Sequence, residues 1–272
     1  MSTNASLEKL DLDTAYKLTP EQIEHFRTQG FVKLKNVLSP EVLEYYGQEI
    51  TRQVIRLNTQ QKPMSERNTY EKAFLQIGNI WLQSEIAKEF VMSKKLGRIA
   101  AELMGTRGVR LYHDQALYKE AGGGITPWHA DQQYWPLSNS ISCTVWVPFQ
   151  HTPVEMGPLA FAVASHKYEG GRDLEISDES EAKLQQMLTE QKFRYEESPF
   201  DLGEVSYHYG WTYHRASPNT SGRPRAVMTV IYMDDEMRVA TPTNKNQEND
   251  WKGCMPGTKI GDLAASPLNP LI

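Results

Sequence analysis

The chain has 272 residues, of which 39% are hydrophobic and 23% are charged, and its formal net charge is −5. This length is ample for a hydrophobic core, and the composition is typical of globular proteins. The negative net charge, without any run of five Lys or Arg residues, gives no reason to expect a nucleic-acid partner. No apolar run approaches the length that spans a bilayer, so no membrane partner is expected either.

The cysteines and the first residues of the chain indicate a compartment. The spacing of Cys143 and Cys254 predicts two reduced thiols rather than a disulfide framework. The residues before Leu10 are polar and lack the apolar stretch of a secretory signal. We therefore expect a cytoplasmic protein whose partner is a small molecule, and the sequence gives no indication of its oligomeric state.

The N-terminal third has the signals of helices. Residues 1–18 show no clear periodicity and predict a loose tail. Thr19 can cap a helix that begins at Pro20, Gln22 completes a capping box, and Gly30 ends the helix. Further along, the sequence predicts a strand over 31–34, a helix that begins with Ser39-Pro40, and a helix over 93–104 that Gly105 ends.

The pattern changes near Val109, where short alternating runs separated by Gly, Pro, Asn and Ser begin. Such runs predict a mainly β protein with helical additions, whose core is a double-stranded β-helix, that is, a cupin-like jelly roll. We expect one domain over 1–272, with a mainly helical N-terminal layer (1–105), the jelly-roll core (106–240) and a tail packed on the core (241–272). The candidate strands are 109–118, 142–149, 158–164, 203–209 and 225–233, interrupted by a helix-prone insertion over 178–192.

The segment His129-Ala130-Asp131 and the distant His214 have the residue types of a metal site. Residues two apart on a strand point to the same side, so His129 and Asp131 can reach one ion. His214 would come back to that ion from a later antiparallel strand. Two imidazoles and one carboxylate fill one face of an octahedron and leave other positions open, which is the arrangement of non-haem Fe(II) oxygenases.

Arg225 follows His214 by 11 residues and indicates a second ligand. Its predicted strand alternates so that Arg225 falls on the apolar face, where an unpaired charge would be costly. A carboxylate of an oxo-acid cosubstrate such as 2-oxoglutarate would pair with it, and an internal salt bridge is the alternative. Zinc hydrolases also use two His and one carboxylate, but they have no need of this arginine. Arg225 therefore favours iron with an oxo acid.

Other polar and aromatic residues are candidates for ligand contacts. Gln115 and Trp146 lie on predicted strands, and for each the choice is between a cosubstrate contact and a structural role. His113, among apolar neighbours, is either a substrate contact or a core histidine with an internal partner. The residues around the two ligand segments form either a substrate mouth or a packed barrel rim, and they include Tyr134, Trp135, His208 and Trp211.

These motifs resemble the phytanoyl-CoA dioxygenase family. The resemblance rests on Trp128–Gln132, Asp201–Val205, His214–Asn219 and Arg225, with support from Phe31–Leu38, Gly157–Leu159 and Ala164–Lys167. It implies a jelly roll with Fe(II) held by His129, Asp131 and His214, and 2-oxoglutarate held by Arg225. It also implies that O2 is consumed and that succinate and CO2 are released.

Three positions qualify what the resemblance implies. Family members often carry Ser or Thr two residues after the distal histidine, whereas this chain has Ala216 there, with Ser217 displaced by one. Ser217 is therefore a candidate cosubstrate contact. In halogenating relatives Ala or Gly replaces the carboxylate ligand, and the intact Asp131 favours hydroxylation or a related oxidation.

The expected activity is that of an Fe(II)- and 2-oxoglutarate-dependent dioxygenase that hydroxylates, or otherwise oxidises, an unactivated carbon of a small metabolite. One alternative is a metal-dependent hydrolase or isomerase on the same barrel, which would turn over without O2. The other is a jelly-roll binding protein without catalysis. Hydroxylation, desaturation, epoxidation and ring formation share these motifs, and they do not distinguish free substrates from substrates carried on CoA or on a carrier protein.

Overall fold

The computed structural model describes residues 10–272, so the first nine residues of the predicted tail lie outside the described residues. For residues 10–18 the prediction of a loose tail is wrong. Leu12 and Leu18 are buried in the main hydrophobic core. The backbone N–H of Lys95 donates to the carbonyl of Leu12 at 2.8 Å. This segment therefore packs on the protein, because two well-spaced leucines anchor it.

The first helix begins and ends as its capping signals predict. The Thr19 side chain accepts from the backbone N–H of Gln22, and the Gln22 side chain accepts from that of Thr19. Pro20 is the first helical residue, and Gly30, with φ of 89°, ends the helix. Of the helices before the β region, α3 and α4 were not predicted. The five are α1 (Pro20–Gln29), α2 (Pro40–Leu57), α3 (Thr69–Ala73), α4 (Glu85–Val91) and α5 (Lys94–Met104).

Ten antiparallel strands of the described chain form two sheets, which confirms the predicted mainly β class. The larger sheet has the order β1-β8-β5-β10-β3-β2, and the smaller has the order β4-β9-β6-β7. The strands are β1 (Phe31–Leu34), β2 (Leu75–Gly78), β3 (Val109–Tyr118), β4 (Thr126–His129), β5 (Ser142–Pro148), β6 (Leu159–Ala162), β7 (Tyr195–Glu197), β8 (Val205–Tyr209), β9 (His214–Ala216) and β10 (Val227–Asp234).

The five strands predicted after Val109 are β3, β5, β6, β8 and β10, with ends within two residues of the expected ones. The sequence did not predict β2, β4, β7 or β9. These strands have three or four residues each, which is too short for alternation to be recognised. The insertion helix is present as α6 (Asp178–Glu190).

Strand β3 contains a bulge, so the predicted inward face is wrong for part of that strand. Ile231 pairs with His113, but the next residue of β10 pairs with Leu111, so Tyr112 is skipped in the register. Leu111 and Val109 consequently pack in the main core, whereas His113 lines a cavity on the other side of the sheet. The prediction of one continuous face from Val109 onward is therefore wrong before His113, because the extra residue reverses the alternation.

The main hydrophobic core lies between the helices and one face of the larger sheet. It includes Ile50 of α2, Phe90 of α4 and Leu103 of α5, together with Val145 and Val230 of the sheet, and all five side chains are at most 1% exposed. At ~25 cal/mol per Å² of buried apolar surface, this burial is the main force that holds helices and sheet together. The opposite face of the larger sheet is thereby left for the cavity.

The C-terminal segment packs on the strands and also contains a helix that the sequence did not predict. The backbone N–H of Ile272 donates to the carbonyl of Val109 at 2.9 Å, and that of Leu111 donates to Pro270 at 3.0 Å. Helix α7 (Lys245–Cys254) lies within this segment. Over residues 10–272, no helix combines the length and the apolarity that a bilayer crossing requires.

Candidate metal centre and cavity

The two histidines of the predicted metal site face each other across a pair of short strands. His129 is the last residue of β4 and pairs in register with His214, the first residue of β9. Asp131 begins a 3-10 helix that ends at Tyr134, so the prediction that it shares a strand with His129 is wrong. The turn nevertheless places the Asp131 carboxylate beside the two imidazoles. The ligand atoms of the three residues lie within 4.8 Å of one another, which allows them to hold a metal ion.

Backbone carbonyls orient both imidazoles. Asp131 Oδ1 lies 3.6 Å from His129 Nε2 and 3.6 Å from His214 Nε2. On the other side of each ring, His129 Nδ1 lies 2.7 Å from the carbonyl of Pro127, and His214 Nδ1 lies 2.9 Å from that of Thr212. A carbonyl only accepts, so each Nδ1 carries the proton and donates it. Each Nε2 lone pair therefore faces the shared ligand position.

The ionisation of the three residues suits a cation. Burial lowers the pKa of His129 and of His214 to about 4, so both rings are neutral near pH 7. Burial alone would raise the pKa of Asp131, but the imidazole of His214 and the hydrogen bond from His208 outweigh it. The pKa of Asp131 consequently lies well below its usual range. Two neutral nitrogens and one carboxylate are thus presented together.

Two side chains of the larger sheet hold the other oxygen of Asp131. Thr144 Oγ1 donates to Asp131 Oδ2 at 2.9 Å, and His208 Nε2 lies 3.3 Å from the same atom. Thr144 of β5 and His208 of β8 are cross-strand partners. His208, predicted as a substrate contact, therefore stands beside the carboxylate as well as on the cavity wall. Thr144 was not predicted, although it shares its strand face with Trp146.

A cavity of about 430 Å³ opens in front of these residues. Both sheets contribute to its wall: Thr229 comes from the larger sheet, and Leu159 and Ala216 come from the smaller one. Ten of the twelve predicted site residues line it, namely His113, Gln115, His129, Asp131, Tyr134, Trp135, Trp146, His208, His214 and Arg225.

The remaining two predicted site residues lie away from the cavity. His214 and Ala216 of β9 line the cavity, whereas Ser217, which follows the end of that strand, is not on its wall. Trp211 is partly buried and lies against a cation, with the Arg172 guanidinium carbon 4.5 Å from its ring centroid. The structure therefore does not bring Ser217 or Trp211 together with the other candidates.

Arg225 is a buried cation that has no acidic partner among residues 10–272. Its side chain is 1% exposed, and in the described part of the chain it forms no ion pair and its Nε has no hydrogen-bond partner. Its guanidinium donates to the carbonyl of Gly157, and its central carbon lies 5.2 Å from the ring centroid of Trp146. The Trp146 Nε1 is likewise buried and unpartnered within residues 10–272. The alternative of an internal salt bridge for Arg225 is therefore wrong.

Lys119 lies beside Arg225 and was not predicted as a site residue. The two residues form an isolated antiparallel bridge. Burial, followed by the charge of Arg225, lowers the pKa of Lys119 to about 6. Burial lowers the pKa of Arg225 to about 9. Near pH 7, Arg225 is therefore the charged member of the pair, and Lys119 is mainly neutral.

Gly157 explains how the arginine is held. Its φ is 67°, and a Cβ at this position would collide with the carbonyl of Ser217. Only glycine fits such a close approach of two backbones. The carbonyl of Gly157 is the group that accepts from Arg225. This tight turn therefore positions the cation at the cavity wall.

The chain matches one known protein family over most of its length. A model of the phytanoyl-CoA dioxygenase (PhyH) family matches residues 26–227, about three quarters of the chain. The chain belongs to the phytanoyl-CoA dioxygenase family. A curated family relative, the phytanoyl-CoA dioxygenase domain-containing protein 1 homolog of Caenorhabditis briggsae, is 21% identical over 275 residues. The match covers 84% of this chain and 95% of the relative. The resemblance based on the motifs is thus confirmed.

Solved structures share the fold. The α-ketoglutarate-dependent carbocyclase SnoK of nogalamycin biosynthesis has a TM-score of 0.77 and 23% identity, over 94% of this chain and 96% of its own. The epimerase SnoN, in complex with Fe3+, α-ketoglutarate and nogalamycin RO, has a TM-score of 0.75 and 21% identity, over 92% and 97%. EctD from S. alaskensis with bound Fe has a TM-score of 0.70 and 16% identity, over 90% and 86%. These similarities confirm the predicted cupin-like fold class.

Proposed function

We propose that this family member is a non-haem Fe(II)- and 2-oxoglutarate-dependent dioxygenase that oxidises an unactivated carbon of a small molecule. The observation that carries the proposal is Arg225, a buried cation with no acidic partner in residues 10–272, on the wall of the cavity that also holds the His129-Asp131-His214 set. SnoN, which shares the fold, has been solved with iron and α-ketoglutarate together. That cosubstrate carries a carboxylate of the kind that Arg225 lacks as a partner within residues 10–272.

The metal-ligating set fits Fe(II). His129 and His214 would each give an Nε2, and Asp131 would give Oδ1, because Thr144 and His208 already occupy Oδ2. Such a set leaves open positions for a chelating cosubstrate and O2. When bound, Fe(II) with 2-oxoglutarate and O2 supplies oxidising power that is coupled to the release of succinate and CO2.

The cavity wall beside the metal set fits 2-oxoglutarate. Arg225 would pair with the far carboxylate, and Trp146 Nε1 would gain an acceptor that it lacks among the described residues. Gln115 and Trp146 both flank Thr229 in the register of the larger sheet, so they can contact one ligand. We assign no contact to Ser217, since Ala216 takes the wall position. These residues bind and orient the cosubstrate and exclude water from its charged end.

We further propose hydroxylation or a related oxidation rather than halogenation, because Asp131 is present and leaves no vacant carboxylate position. The cavity wall combines residues of the predicted core, such as His214, with residues of the C-terminal segment, such as Asp250. This shared wall supports one domain rather than a separable tail.

The proposal is tested by conversion of 2-oxoglutarate to succinate. We expect full-length protein to form succinate only when Fe(II), 2-oxoglutarate and O2 are all present. The zinc-loaded protein should form none, because Zn2+ has no redox chemistry. Turnover of a substrate by the zinc-loaded protein under nitrogen, without succinate, would instead assign a hydrolase or isomerase.

A further inference from the structure

We propose that the substrate carries a protonated amine beside an apolar or aromatic portion, and that Asp250 binds that cation, while Glu175 on the same cavity wall adds negative charge. This inference rests on the proposed function, which it deepens by naming the substrate class. It starts from the part of the cavity that the metal and the cosubstrate leave free.

The register of the larger sheet divides the cavity floor into two rows. Gln115, Thr229 and Trp146 lie side by side in the first row, which is the cosubstrate row. The neighbouring row, which we call the substrate row, contains His113, Ile231, Thr144 and His208 in that order. Residues two apart on a strand are separated by about 7 Å, so the rows are adjacent but distinct.

Within the substrate row, the end beside the metal ligands and His113 are about 10 Å apart, which is the length of a small molecule. In the substrate row, Thr144 and His208 hold Asp131 at one end, and His113 is at the other end. His113 is two strands from Thr144, which corresponds to about 10 Å at the usual strand spacing. A group bound beside His113 therefore leaves the rest of its molecule near the metal ligands.

Two carboxylates besides that of Asp131 line the cavity, and one of them, Asp250, lies within 4.8 Å of a ring nitrogen of His113. Asp250 comes from α7 and Glu175 from the loop before α6, and both line the cavity. Apart from Arg225 in the cosubstrate half, no Lys or Arg lines the cavity in residues 10–272. The part of the wall that is left for the substrate is thus acidic, and an organic cation complements it.

Asp250 has no Lys or Arg partner among residues 10–272. Its one side-chain hydrogen bond in the described structure is from the Tyr112 hydroxyl at 2.7 Å, and it forms no ion pair with Lys or Arg there. Burial lowers the pKa of His113, which disfavours an imidazolium partner for Asp250. Burial raises the pKa of Asp250, and the neighbouring His113 and the hydrogen bond from Tyr112 oppose that rise.

Aromatic rings lie beside His113 on this wall, and the ring centroid of Trp135 is 6.3 Å from that of His113. Tyr134 and Trp135 are both on the cavity wall. The backbone N–H of Ile176 donates to the Tyr134 hydroxyl at 2.9 Å, which holds the adjacent Glu175 segment at the mouth. Aromatic faces stabilise an ammonium group by ~0.5–2 kcal/mol and also pack against apolar carbon.

The residues of this wall disfavour two other ligands in the substrate part of the cavity. A CoA ester or a polyacid would need Arg or Lys at its phosphates or carboxylates, and the substrate half of the described wall has none. A metal ion is the second alternative, since His113, Asp250 and Cys254 have ligand atoms within 4.8 Å of one another. However, burial raises the pKa of the Cys254 thiol well above its usual range, so the thiolate that a metal prefers is disfavoured.

The test uses three probes with one skeleton and different charges: 2-phenylethylamine, 2-phenylethanol and 3-phenylpropionate. Each probe is titrated calorimetrically into full-length Arg225→Met protein with chelator, where the described cavity wall has no other Lys or Arg to bind the carboxylate, and into wild type with Fe(II) and 2-oxoglutarate under nitrogen. We expect the amine to bind about tenfold or more tightly than the carboxylate, with the alcohol between them. In Asp250→Asn and in Glu175→Gln this ratio should fall several-fold.

Glu248→Gln is the matched control, because Glu248 is an exposed acid on the same helix as Asp250 and is absent from the cavity wall. It should keep the wild-type ratio. Glu175→Gln lies in an exposed position, so it keeps the test valid if Asp250→Asn fails to fold. Equal or tighter binding of the carboxylate, no binding of any probe, or an unchanged ratio in both variants contradicts the inference.

Two further outcomes separate this inference from its alternatives. A thiolate-to-metal absorption band on titration with Co2+, lost in Cys254→Ser, would assign the cluster to a metal and overturn the inference. Amine preference in the presence of chelator, without succinate formation in the iron-loaded protein, would leave the inference standing and remove the proposed function. Succinate formation without amine preference would support the proposed function and contradict this inference.

Discussion

The two halves of the cavity are built differently. In the half that holds the metal set and Arg225, side chains are fixed by short contacts to strands and turns, such as His129 to Pro127 and Arg225 to Gly157. In the other half, the acids come from a loop and from the C-terminal helix α7, as Glu175 and Asp250 show. A rigid scaffold thus carries the proposed chemistry, and connecting segments carry the proposed specificity. The predictions below test that division.

The largest expected effect is loss of the metal set. His129→Ala should lower the rate of succinate formation by about a thousandfold or more, because a metal supplies several kcal/mol of stabilisation. Iron content by elemental analysis should fall in parallel. His151→Ala, at an exposed histidine, is the control and should retain both iron and activity. Full activity of His129→Ala would show that this half of the cavity does not carry the chemistry.

Arg225→Met should separate function from stability. Without the guanidinium, the concentration of 2-oxoglutarate for half-maximal rate should rise about a hundredfold, as for a charged pair in a buried site. The metal-free variant should also unfold at a higher temperature than wild type, since burial already disfavours this charge. Arg223→Met, two residues away and exposed, should change neither quantity. An unchanged requirement for 2-oxoglutarate would contradict the assigned role of Arg225.

Thr144→Val should weaken the metal site more moderately. It removes the hydrogen bond that holds Asp131 Oδ2, and loss of such a partner costs about 10- to 100-fold in metal affinity. Fe(II) affinity can be measured by competition with a chromophoric chelator. Thr144→Ser keeps the hydroxyl and should restore most of the affinity. If the valine variant binds iron like wild type, the carboxylate is oriented by His208 alone.

The smallest expected effect is a pH dependence due to Lys119. Its pKa is lowered from 10.5 to about 6 in the folded protein, so between these values the unfolded chain binds the extra proton. The free energy of unfolding should therefore rise from pH 7 to pH 9, by at most ~1.4 kcal/mol per pH unit from this group. In urea unfolding, the free energy of unfolding of Lys119→Met should depend less on pH than that of wild type. Lys252→Met, at an exposed lysine, is the control and should keep the wild-type pH dependence.

The metal half of the cavity could be predicted from the sequence because each function there depends on a residue type at a fixed spacing. His129, Asp131, His214 and Arg225 all line the cavity as expected. The local backbone geometry was harder to predict from the sequence. Asp131 lies in a 3-10 turn rather than a strand, and the bulge at Tyr112 reversed the predicted alternation of β3. One inserted residue changes a face without leaving a signal in the hydrophobic pattern.

His113, Tyr134 and Trp135 of the substrate half were predicted candidates, but its two acids could not be predicted because they lie on elements without apolar periodicity. Helix α7, which carries Asp250, has no buried residue, so no apolar stripe marks it. Its available signal is local: the side chain of Asn244 caps the helix by accepting from Gln247. Ser217 shows the converse error, since it was chosen for its residue type near the expected position but lies past the end of β9 and does not line the cavity.

The central claim is that Arg225 and the His129-Asp131-His214 set bind one chelate of Fe(II) and 2-oxoglutarate. The most direct measurement is visible absorption of anaerobic protein titrated with 2-oxoglutarate in the presence of Fe(II). We predict a weak charge-transfer band that saturates in wild type, needs much more 2-oxoglutarate in Arg225→Met, and is absent in His129→Ala. Iron binding without any such band in wild type would contradict the account.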